Sequence, residues 1–374
     1  MNMRYLRLSD CAEFRDERTS KIDFSTYITT DNMLQNRGGI TIAESLPDAK
    51  TISKYMPDDI LLSNIRPYFK KIWLANREGG CSNDVLVVKV KSNFLPEFMF
   101  YVLSDNNFFN YDTVTSKGTK MPRGTPSAIM KYLVPALDVE KQKRIAGILS
   151  AYDRLIEVNN KRIKVLEQMA ENLYKEWFVR FRFPGHESAE FEDGIPKGWS
   201  IQRIGDISSV KAGGDRPEVF SDFSVEGISV PIFSNGLDND GLYGFTDKAT
   251  ITETSVTISA RGTVGFVCLR RAPYVPIIRL IAIIPDVRVI TPLYLYYYLQ
   301  RDSVIANGTS QQQITVPMVS RKRIIVPPMS ILERLNENEQ AMWGNIDQLK
   351  KQNKNLIKQR DLLLPRLMSG KLEI

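Results

Sequence analysis

Histidine is almost absent from this chain: its 374 residues contain one, His186. A single imidazole excludes HExxH zinc sites and HNH nuclease sites, and it argues against a Ser-His-Asp triad. The chain also lacks a Walker-type G-x-x-x-x-G-K-[ST] loop, an Asn/Asp-Pro-Pro-aromatic motif, and a PD followed at suitable spacing by (D/E)xK. We therefore predict that the chain has no catalytic residues and is no enzyme by itself.

Cysteine is equally scarce, and the three present, Cys11, Cys81 and Cys268, are widely scattered. Their odd number and wide spacing argue against a disulfide framework and against a zinc cluster. The N-terminus has no signal-peptide core, and the most apolar segment, residues 275–290, is interrupted by proline and charged residues. These absences predict a reduced, soluble, cytoplasmic protein without a metal site.

The bulk composition permits two ordinary domains, because 43% of the 374 residues are apolar. The 50 Lys and Arg residues exceed the 43 Asp and Glu residues, which gives a net charge of +7. This excess is compatible with a polyanionic partner, although at this chain length it is weak evidence alone.

Two heptad seams, with steps of four and three alternating, are the most regular feature of the sequence. The first seam comprises Ile145, Leu149, Tyr152, Ile156, Asn159, Ile163, Leu166, Ala170, Leu173 and Trp177. The second comprises Leu335, Glu339, Met342, Ile346, Leu349, Asn353, Leu356, Arg360 and Leu363. Each position of the second seam follows one of the first by 190 residues. Such seams are typical of long helices that pair with another helix, and the offset of about half the chain predicts a duplicated unit.

Short segments outside the two long helices also occur twice, in the same order. Residues 60–67 and 96–103 correspond to residues 256–263 and 292–299, in both cases 196 positions later. The segment Lys117-Gly118-Thr119 corresponds to Asn307-Gly308-Thr309, which follows it by 190 positions. Each of these segments precedes a Val-Pro, Val134-Pro135 in the first half and Val326-Pro327 in the second. Four ordered matches beside a duplicated heptad favour two related globular domains.

The predicted fold is α/β (α+β), with two similar globular domains joined and separated by a long antiparallel two-helix coiled coil in a pseudo-two-fold arrangement. The first domain is expected at residues 1–138 and the central helix at residues 139–183. A linker and the second domain follow at residues 184–327, and the distal helix occupies residues 328–374.

Capping residues predict where the helices begin and end. Asp138 is a candidate N-cap of the central helix, and Ser330 begins a Ser-Ile-Leu-Glu capping box for the distal helix. Pro365 is expected to end or kink the distal helix.

Each seam contains one asparagine, and the two are not at aligned positions, since Asn353 corresponds to Ile163. If the antiparallel helices place Asn159 opposite Asn353, the remaining seam pairs are fixed. These pairs are Leu149 with Leu363, Ile156 with Leu356, Ile163 with Leu349, and Leu166 with Ile346. A buried Asn–Asn contact would select this register against a slip by one heptad. The alternative is that both asparagines are unrelated polar residues at the surface.

Several segments resemble the specificity subunits of type I restriction–modification systems. In the central region these are residues 143–153, 157–160 and 169–179. Residues 308–317 are similar to the family's loop before the distal helix, and residues 360–370 resemble its C-terminus. The loop Gly118-Thr119-Lys120-Met121-Pro122-Arg123 is similar to an alternative form that lacks the glutamine run.

The resemblance implies that the two globular domains are target recognition domains, each reading one half of a bipartite, asymmetric double-stranded DNA target. The helices would set the spacing and dock two adenine-N6 methyltransferase subunits, which restriction subunits would join. S-adenosylmethionine, Mg²⁺ and ATP would then belong to the partners, so that this chain carries no cofactor. Two alternative functions remain open: a coiled-coil scaffold whose globular domains bind proteins, and an enzyme with an unrecognised active site.

Base reading in a groove requires Arg, Lys, Asn or Gln on a presented loop, and phosphate binding requires cations or backbone amides. The DNA-binding candidates are Arg66, Lys70, Lys71, Lys117, Lys120 and Arg123 in the first domain, and Arg261, Gly262, Gln311, Gln312 and Gln313 in the second. For each cation the competing interpretation is an ordinary solvated surface charge. Arg66 and Arg261 occupy nearly equivalent places, one position apart in the matched segments, so a shared structural role competes with a role in DNA binding.

The off-seam helix faces are the expected docking surface for the methyltransferase subunits. The candidates are Glu171, Tyr174, Lys175 and Phe178 on the central helix, and Gln359 and Arg366 on the distal helix. Phe178 beside Trp177 is expected to leave apolar surface that a two-helix coiled coil cannot cover.

Overall fold

The computed structural model describes residues 4–301 and 313–372, which form two compact units. Unit 1 contains residues 1–161 and 349–374, and unit 2 contains residues 162–348. Each unit therefore holds one globular part together with a portion of each long helix. The globular part of unit 1 is called domain one below, and that of unit 2 is called domain two.

Domain one consists of short strands and short helices. Its strands are β1 (Tyr5–Arg7), β2 (Ala12–Phe14), β3 (Arg18–Thr19), β4 (Tyr27–Ile28), β5 (Ile52–Tyr55), β6 (Ile60–Ser63), β7 (Ile72–Leu74), β8 (Gly79–Cys81), β9 (Val85–Val90) and β10 (Leu133–Pro135). Its helices are α1 (Leu8–Cys11), α2 (Pro96–Ser104), α3 (Asn106–Thr115) and α4 (Pro126–Ile129).

The core of domain one lies on both faces of β6. One sheet has the order β2-β9-β6-β7 and the other has the order β3-β5-β8-β4. Successive side chains of a strand point to opposite faces, so Ile60 and Leu62 pack with Phe98 of α2 while Leu61 packs with Tyr55 of the other sheet. A strand buried on both faces explains why residues 60–62 are continuously apolar.

Domain two has a similar sequence of elements. Its strands are β11 (Phe191–Glu192), β12 (Ile195–Pro196), β13 (Ser200–Arg203), β14 (Ser208–Ala212), β15 (Val230–Phe233), β16 (Leu242–Thr246), β17 (Ser255–Ile258), β18 (Val267–Arg270), β19 (Val275–Pro276), β20 (Ile281–Pro285) and β21 (Arg323–Val326). Its helices are α6 (Ile204–Ile207), α7 (Pro292–Arg301) and α8 (Val316–Arg321).

One four-stranded sheet has the same strand order in both domains, which confirms the prediction of two similar domains of mixed helix and strand content. The sheet β14-β20-β17-β18 of domain two has the order of β2-β9-β6-β7 in domain one. The second sheet has four strands in domain one and three, in the order β16-β15-β19, in domain two. Helices α2 and α7 begin at Pro96 and Pro292, at the predicted offset. The antiparallel pair β13–β21 likewise corresponds to the pair β1–β10.

The two long helices are α5 (Val139–Tyr174) and α9 (Met329–Met368). Asp138 caps α5 as predicted, because its carboxylate accepts the Lys141 N–H at 2.8 Å. A π-helical turn at Lys175–Val179 continues α5 toward domain two.

The predicted N-cap of α9 is wrong, and of the two effects expected of Pro365, an end or a kink, the end is wrong and the kink stays a prediction. The helix begins at Met329 rather than after a Ser330 cap, and the Pro328 carbonyl accepts the N–H groups of Ile331 and Leu332. Pro365 does not end the helix, which continues for three residues to Met368. Proline removes one backbone donor near the C-terminus, where the last turn has few further bonds to lose.

The scarce residues of the sequence have ordinary structural places. Cys11, Cys81 and Cys268 are buried free thiols. Among the described residues, no group of three or more His, Cys, Asp or Glu side chains is arranged to hold a metal ion. Within residues 4–301 and 313–372, no helix is both long enough and apolar enough to cross a membrane.

Candidate nucleic-acid interface and helix pair

The predicted cations of domain one lie at one end of the sheet β2-β9-β6-β7, in two segments that are distant in sequence. Ser63, the last residue of β6, pairs with Val85, the first residue of β9, so the turn between β6 and β7 lies at this end. The Arg66 N–H donates to the Pro122 carbonyl at 2.8 Å. The structure thus joins the turn at residues 64–71 to the loop at residues 117–124.

The side chains of the β6–β7 turn have partners within domain one. The Arg66 guanidinium lies 5.8 Å from the centre of the Phe69 ring. Lys70 Nζ donates to Asn106 Oδ1 at 2.8 Å, and partial burial lowers the pKa of Lys70. Lys71 Nζ donates to the Thr30 carbonyl at 2.6 Å. These contacts leave a structural role open for all three cations.

The cations of the second segment are more accessible. Lys117 and Lys120 are exposed, and the Lys117 and Arg123 backbones bond to each other in both directions at 2.8 Å. The exposed Arg123 guanidinium forms an ion pair with Asp84 at 3.2 Å. Of the six predicted cations in domain one, Lys117, Lys120 and Arg123 are therefore best placed to reach a ligand.

Sequence analysis missed a buried carboxyl beneath this loop. Asp112 on α3 is fully buried, and burial raises its pKa to about 7. A Cβ atom at Gly124 would lie 2.6 Å from Asp112 Oδ1 and 2.8 Å from Asn64 Oδ1. Only glycine fits between these two oxygens, so the loop is seated directly on the buried acid. Nothing in the local spacing around Asp112 predicts this contact.

Domain two has the same loop contact at the equivalent place. The Ile314 N–H donates to the Ala260 carbonyl at 3.1 Å, as the Gly124 N–H donates to the Asn64 carbonyl at 2.9 Å. Ile314 follows Gly124 by 190 residues, and Ala260 follows Asn64 by 196 residues. The two hydrogen bonds therefore join residues that correspond in the sequence repeats.

The polar side chains at this position of domain two differ from those of domain one. The exposed Arg261 guanidinium donates to Gln313 Oε1 at 3.2 Å. Gly262 follows with a φ of +69°, a backbone conformation that favours glycine. Gln311 and Gln312, the other two glutamines of the predicted run, lie outside the described residues. The structure thus brings together Arg261, Gly262 and Gln313.

The helix segments in unit 1 contain the asparagine contact that the heptads predict. Asn159 Nδ2 donates to Asn353 Oδ1 at 2.9 Å, and Asn353 Nδ2 donates to Asn160 Oδ1 at 2.8 Å. Asn159 and Asn353 are 4% and 8% exposed, so the alternative of two unrelated surface residues is wrong. Asp153 bonds Arg360 at 2.6 Å, which together with the Asn159–Asn353 contact makes the segments antiparallel.

The other predicted seam pairs have buried or half-buried members. Leu149, Ile163, Ile346 and Leu349 are buried, and Ile156, Leu166, Leu356 and Leu363 are half-buried. Leu149 and Leu363 belong to one apolar cluster in unit 1. The pairings of Ile156 with Leu356, of Ile163 with Leu349 and of Leu166 with Ile346 stay predictions.

A second polar contact in unit 1 joins domain one to both long helices. Tyr101 of α2 donates to Asp153 Oδ2 at 2.6 Å, and Asp153 Oδ1 accepts from the Arg360 guanidinium at the same distance. Burial and the Asp153 carboxylate raise the pKa of Tyr101. The Arg360 side chain is 11% exposed, so this polar clamp excludes most solvent. The heptad spacing correctly placed Arg360 on the seam face of α9, but it did not predict the ion pair with Asp153.

The exposed apolar docking surface predicted around Phe178 is not present. Tyr174 and Phe178 are 3% and 6% exposed, because both rings pack against α7. The Phe178 ring centre lies 4.8 Å from that of Tyr294, and the Tyr174 ring centre lies 5.3 Å from that of Tyr297. The prediction was wrong because it considered only the partner helix and not α7. The other candidates remain accessible: Glu171 and Lys175 are half-exposed and form an ion pair, and Gln359 and Arg366 are exposed.

Helix α5 instead exposes a different apolar stripe. Leu155, Val158, Val165 and Met169 are 50%, 50%, 58% and 54% exposed. Their spacings of three, seven and four residues place them on one face of the helix. The same heptad counting that found the seam could have found this stripe, which we name the α5 stripe.

The α9 seam also contains a buried acid. Glu339 has no exposed surface, and burial raises its pKa to about 8. Beside it, Trp343 Nε1 donates to the Tyr297 hydroxyl at 3.3 Å. Glu339 occupies the position that corresponds to Leu149 in the first seam, so the two seams differ in polarity at this point.

Comparison with known proteins shows that both domains match one protein family. A family model described as the type I restriction modification DNA specificity domain matches residues 12–168 and again residues 196–364. The MjaIX type I restriction enzyme specificity subunit of Methanocaldococcus jannaschii is 26% identical over 309 residues, which cover 76% of this chain and 71% of that protein. The HindI type I restriction enzyme specificity subunit of Haemophilus influenzae is 23% identical over 445 residues, covering 94% and 96% of the two chains.

A solved structure shares the fold. The S subunit of a type I restriction–modification system from M. genitalium superposes with a TM-score of 0.55 at 14% sequence identity, covering 98% of this chain and 96% of that one. The likeness extends over both globular domains and both long helices of the described chain.

Proposed function

Because the chain belongs to the family of type I restriction–modification specificity subunits, we propose that its two globular domains each read one half of a bipartite, asymmetric DNA target. Specificity in such a protein requires loops that are held rigidly and that present different side chains. The equivalent loop ends of the two domains have both properties.

The observation that carries the proposal is the duplicated loop contact. The Gly124–Asn64 and Ile314–Ala260 hydrogen bonds hold the same loop against the same strand end in both domains. Around these bonds, domain one presents Lys117, Lys120 and Arg123, whereas domain two presents Arg261 and Gln313. One scaffold with two different polar surfaces supports two unlike half-sites, so the target is expected to be asymmetric.

The long helices, in this proposal, set the spacing between the half-sites. The buried Asn159–Asn353 contact supports a fixed register, because a slip by one heptad would separate the two amides and break their hydrogen bond. A fixed register gives a fixed number of unread base pairs, as half-site spacing does in other two-headed DNA-binding proteins.

The helices also provide docking surface for two methyltransferase subunits, which restriction subunits join. We assign this docking to the α5 stripe, since exposed apolar surface in a row is characteristic of protein interfaces. Glu171, Lys175, Gln359 and Arg366 are candidates for the polar rim around it. S-adenosylmethionine, Mg²⁺ and ATP are then bound by these partner subunits.

The deciding experiment is to purify the chain together with its methyltransferase subunits and to map the adenines that the complex methylates in random genomic DNA. The proposal predicts one bipartite motif with two unlike halves and methylation on both strands. A complex that methylates without sequence preference would overturn it, as would a chain that forms no complex and binds no DNA. The latter result would favour a scaffold whose domains bind proteins.

A further inference from the structure

A strained turn in domain two presents two exposed side chains. Ile278 and Arg279 are consecutive residues with φ values of +53° and +63°, in the left-handed region. A β-branched residue rarely adopts this conformation, so Ile278 is a genuine outlier. Its apolar side chain is nevertheless 51% exposed, and Arg279 is exposed beside it. Strain of this kind at a solvent-facing tip contributes nothing to the core and points to a role in binding.

The turn is held by backbone hydrogen bonds on both sides. The Ile278 N–H donates to the Gly214 carbonyl at 2.9 Å, and the Gly213 N–H donates to the Leu280 carbonyl at 2.8 Å. A Cβ atom at Gly213 would lie 2.6 Å from the Pro276 carbonyl carbon, so only glycine permits this approach. The Gly213-Gly214 pair, which matches no dinucleotide-binding fingerprint, thus serves to support the turn.

The turn lies at the same end of the sheet as Arg261. In the antiparallel register Ile258, the last residue of β17, pairs with Ile281, the first residue of β20. The segments that leave β17 and enter β20 are therefore neighbours. Asn235 joins them, because its Nδ2 donates to the Ile278 carbonyl at 2.6 Å and its Oδ1 accepts the Ala260 N–H at 2.7 Å.

The corresponding turn of domain one has a different charge. Strand β9 corresponds to β20, and the residues before it are Ser82, Asn83 and Asp84. Asp84 forms an ion pair with Arg123 of the neighbouring loop. In domain two, by contrast, no hydrogen-bond or ion-pair partner of the Arg279 side chain lies among the described residues. The two domains thus differ in sign of charge at one matched position beside their loops.

We propose that Ile278 and Arg279 form a further DNA-contacting element of domain two, which no sequence motif indicates. In this assignment Arg279 binds the DNA beside the groove that Arg261 faces, and Ile278 contacts base edges. Apolar side chains read thymine methyl groups or wedge between base steps, and arginine is the commonest side chain at guanine and phosphate. The assignment rests on the proposed function, because it names residues of the same DNA-reading surface.

The test uses the full chain co-purified with its methyltransferase subunits and a duplex carrying the motif that the wild-type complex methylates. Arg279→Ala is expected to weaken duplex binding about tenfold or more and to reduce the slope of binding against salt by about one. The matched control is Arg288→Ala, an exposed arginine beyond the opposite end of β20, which should bind within about twofold of wild type.

Ile278→Gly provides the second readout, because glycine relieves the left-handed strain and therefore should not unfold the domain. The variant complex is expected to methylate a motif that is relaxed in one half-site and unchanged in the other. Arg279→Ala binding within twofold of wild type, together with an unchanged Ile278→Gly motif, would overturn the assignment while leaving the proposed function intact. A wild-type complex that binds no DNA would overturn both.

Discussion

Two buried carboxyl groups show how single residues depart from the pattern around them. Asp112 lies beneath the loop of domain one, and Glu339 occupies an apolar seam position of α9. Burial disfavours the charged form of each, raising the pKa to about 7 for Asp112 and to about 8 for Glu339. Both groups therefore change protonation state near neutral pH, whereas an exposed carboxyl does so near pH 4.

Replacing Asp112 by asparagine should stabilise unit 1 at high pH. Because the folded-state pKa of about 7 lies above the ordinary value of 3.8, the folded protein loses stability as the pH rises between these values and then stays at its lowest. Asp112→Asn removes that penalty, so at pH 8 the variant should be more stable by on the order of 2–4 kcal/mol, with a much smaller gain at pH 5. The measurement is denaturant unfolding at both pH values.

The exposed Asp206 provides the control for this comparison. Asp206→Asn should leave the difference in unfolding free energy between pH 5 and pH 8 as it is in the wild type. An Asp112→Asn variant with the wild-type pH dependence would show that burial does not raise the pKa of Asp112.

At the scale of elements, the long helices are specified by their seam and by the few polar residues within it. The Asn159–Asn353 contact is buried: Asn159 donates to Asn353, which in turn donates to Asn160 of the first helix. Such a pair contributes register more than stability.

Cysteines placed at the two asparagines should report this register directly. Asn159→Cys with Asn353→Cys is expected to form a disulfide under mild oxidation, because these positions face each other across the seam. The matched pair Asn159→Cys with Ile346→Cys is displaced by one heptad and should stay reduced. Mobility in non-reducing gels distinguishes them, and cross-linking of the displaced pair alone would contradict the register.

The polar clamp of Tyr101, Asp153 and Arg360 should stabilise the attachment of domain one to the helices of unit 1. Asp153→Ala leaves a largely buried guanidinium without that carboxylate and should lower the unfolding free energy by about 2 kcal/mol. The exposed ion pair of Arg271 and Asp347 in unit 2 is the control, and Asp347→Ala should cost less than about 1 kcal/mol. Equal costs would mean that burial does not strengthen the clamp.

The α5 stripe and the buried aromatic cluster should respond differently to mutation. Val158→Ser removes exposed apolar surface, so it should weaken co-purification of the methyltransferase subunits while leaving the unfolding midpoint almost unchanged. Phe178→Ser instead empties a packed site and should destabilise unit 2 by about 3 kcal/mol. Lys161→Ser, an exposed change on the same helix, should affect neither. Undiminished assembly by Val158→Ser would contradict docking at the stripe.

At the scale of the whole molecule, the protein is one unit used twice with different surfaces. The repeated sheet order and the repeated loop hydrogen bond give two equivalent sheet ends. Their side chains differ in identity, and at the turns before β9 and β20 they also differ in sign of charge. Duplication followed by divergence of loops suits the reading of two unlike half-sites.

DNA binding by the assembled complex should be strongly salt-dependent. If the loop cations of the two domains neutralise about six phosphates, affinity should fall about a thousandfold between 50 and 200 mM salt. Titration of a labelled duplex at several salt concentrations measures this slope. A slope near zero would contradict phosphate contacts and would favour domains that bind proteins.

The sequence by itself determined the parts of the protein that follow from periodicity. Heptad spacing specifies which face of a helix is apolar, and two asparagines in such a face specify a register, so Asn159 and Asn353 could be paired without coordinates. The repeat offsets determined the equivalence of the loops, because a duplicated domain keeps its hydrogen bonds while its surface changes.

Only the tertiary structure decided what covers each face and what lies beneath each loop. Tyr174 and Phe178 are buried by α7, which is more than a hundred residues away, and the Asp112 and Asn64 side chains both approach Gly124 only because distant segments fold together. The strained turn at Ile278 depends on Gly213, which is also remote in sequence. Burial and close approach are properties of non-local packing, which local spacing does not specify.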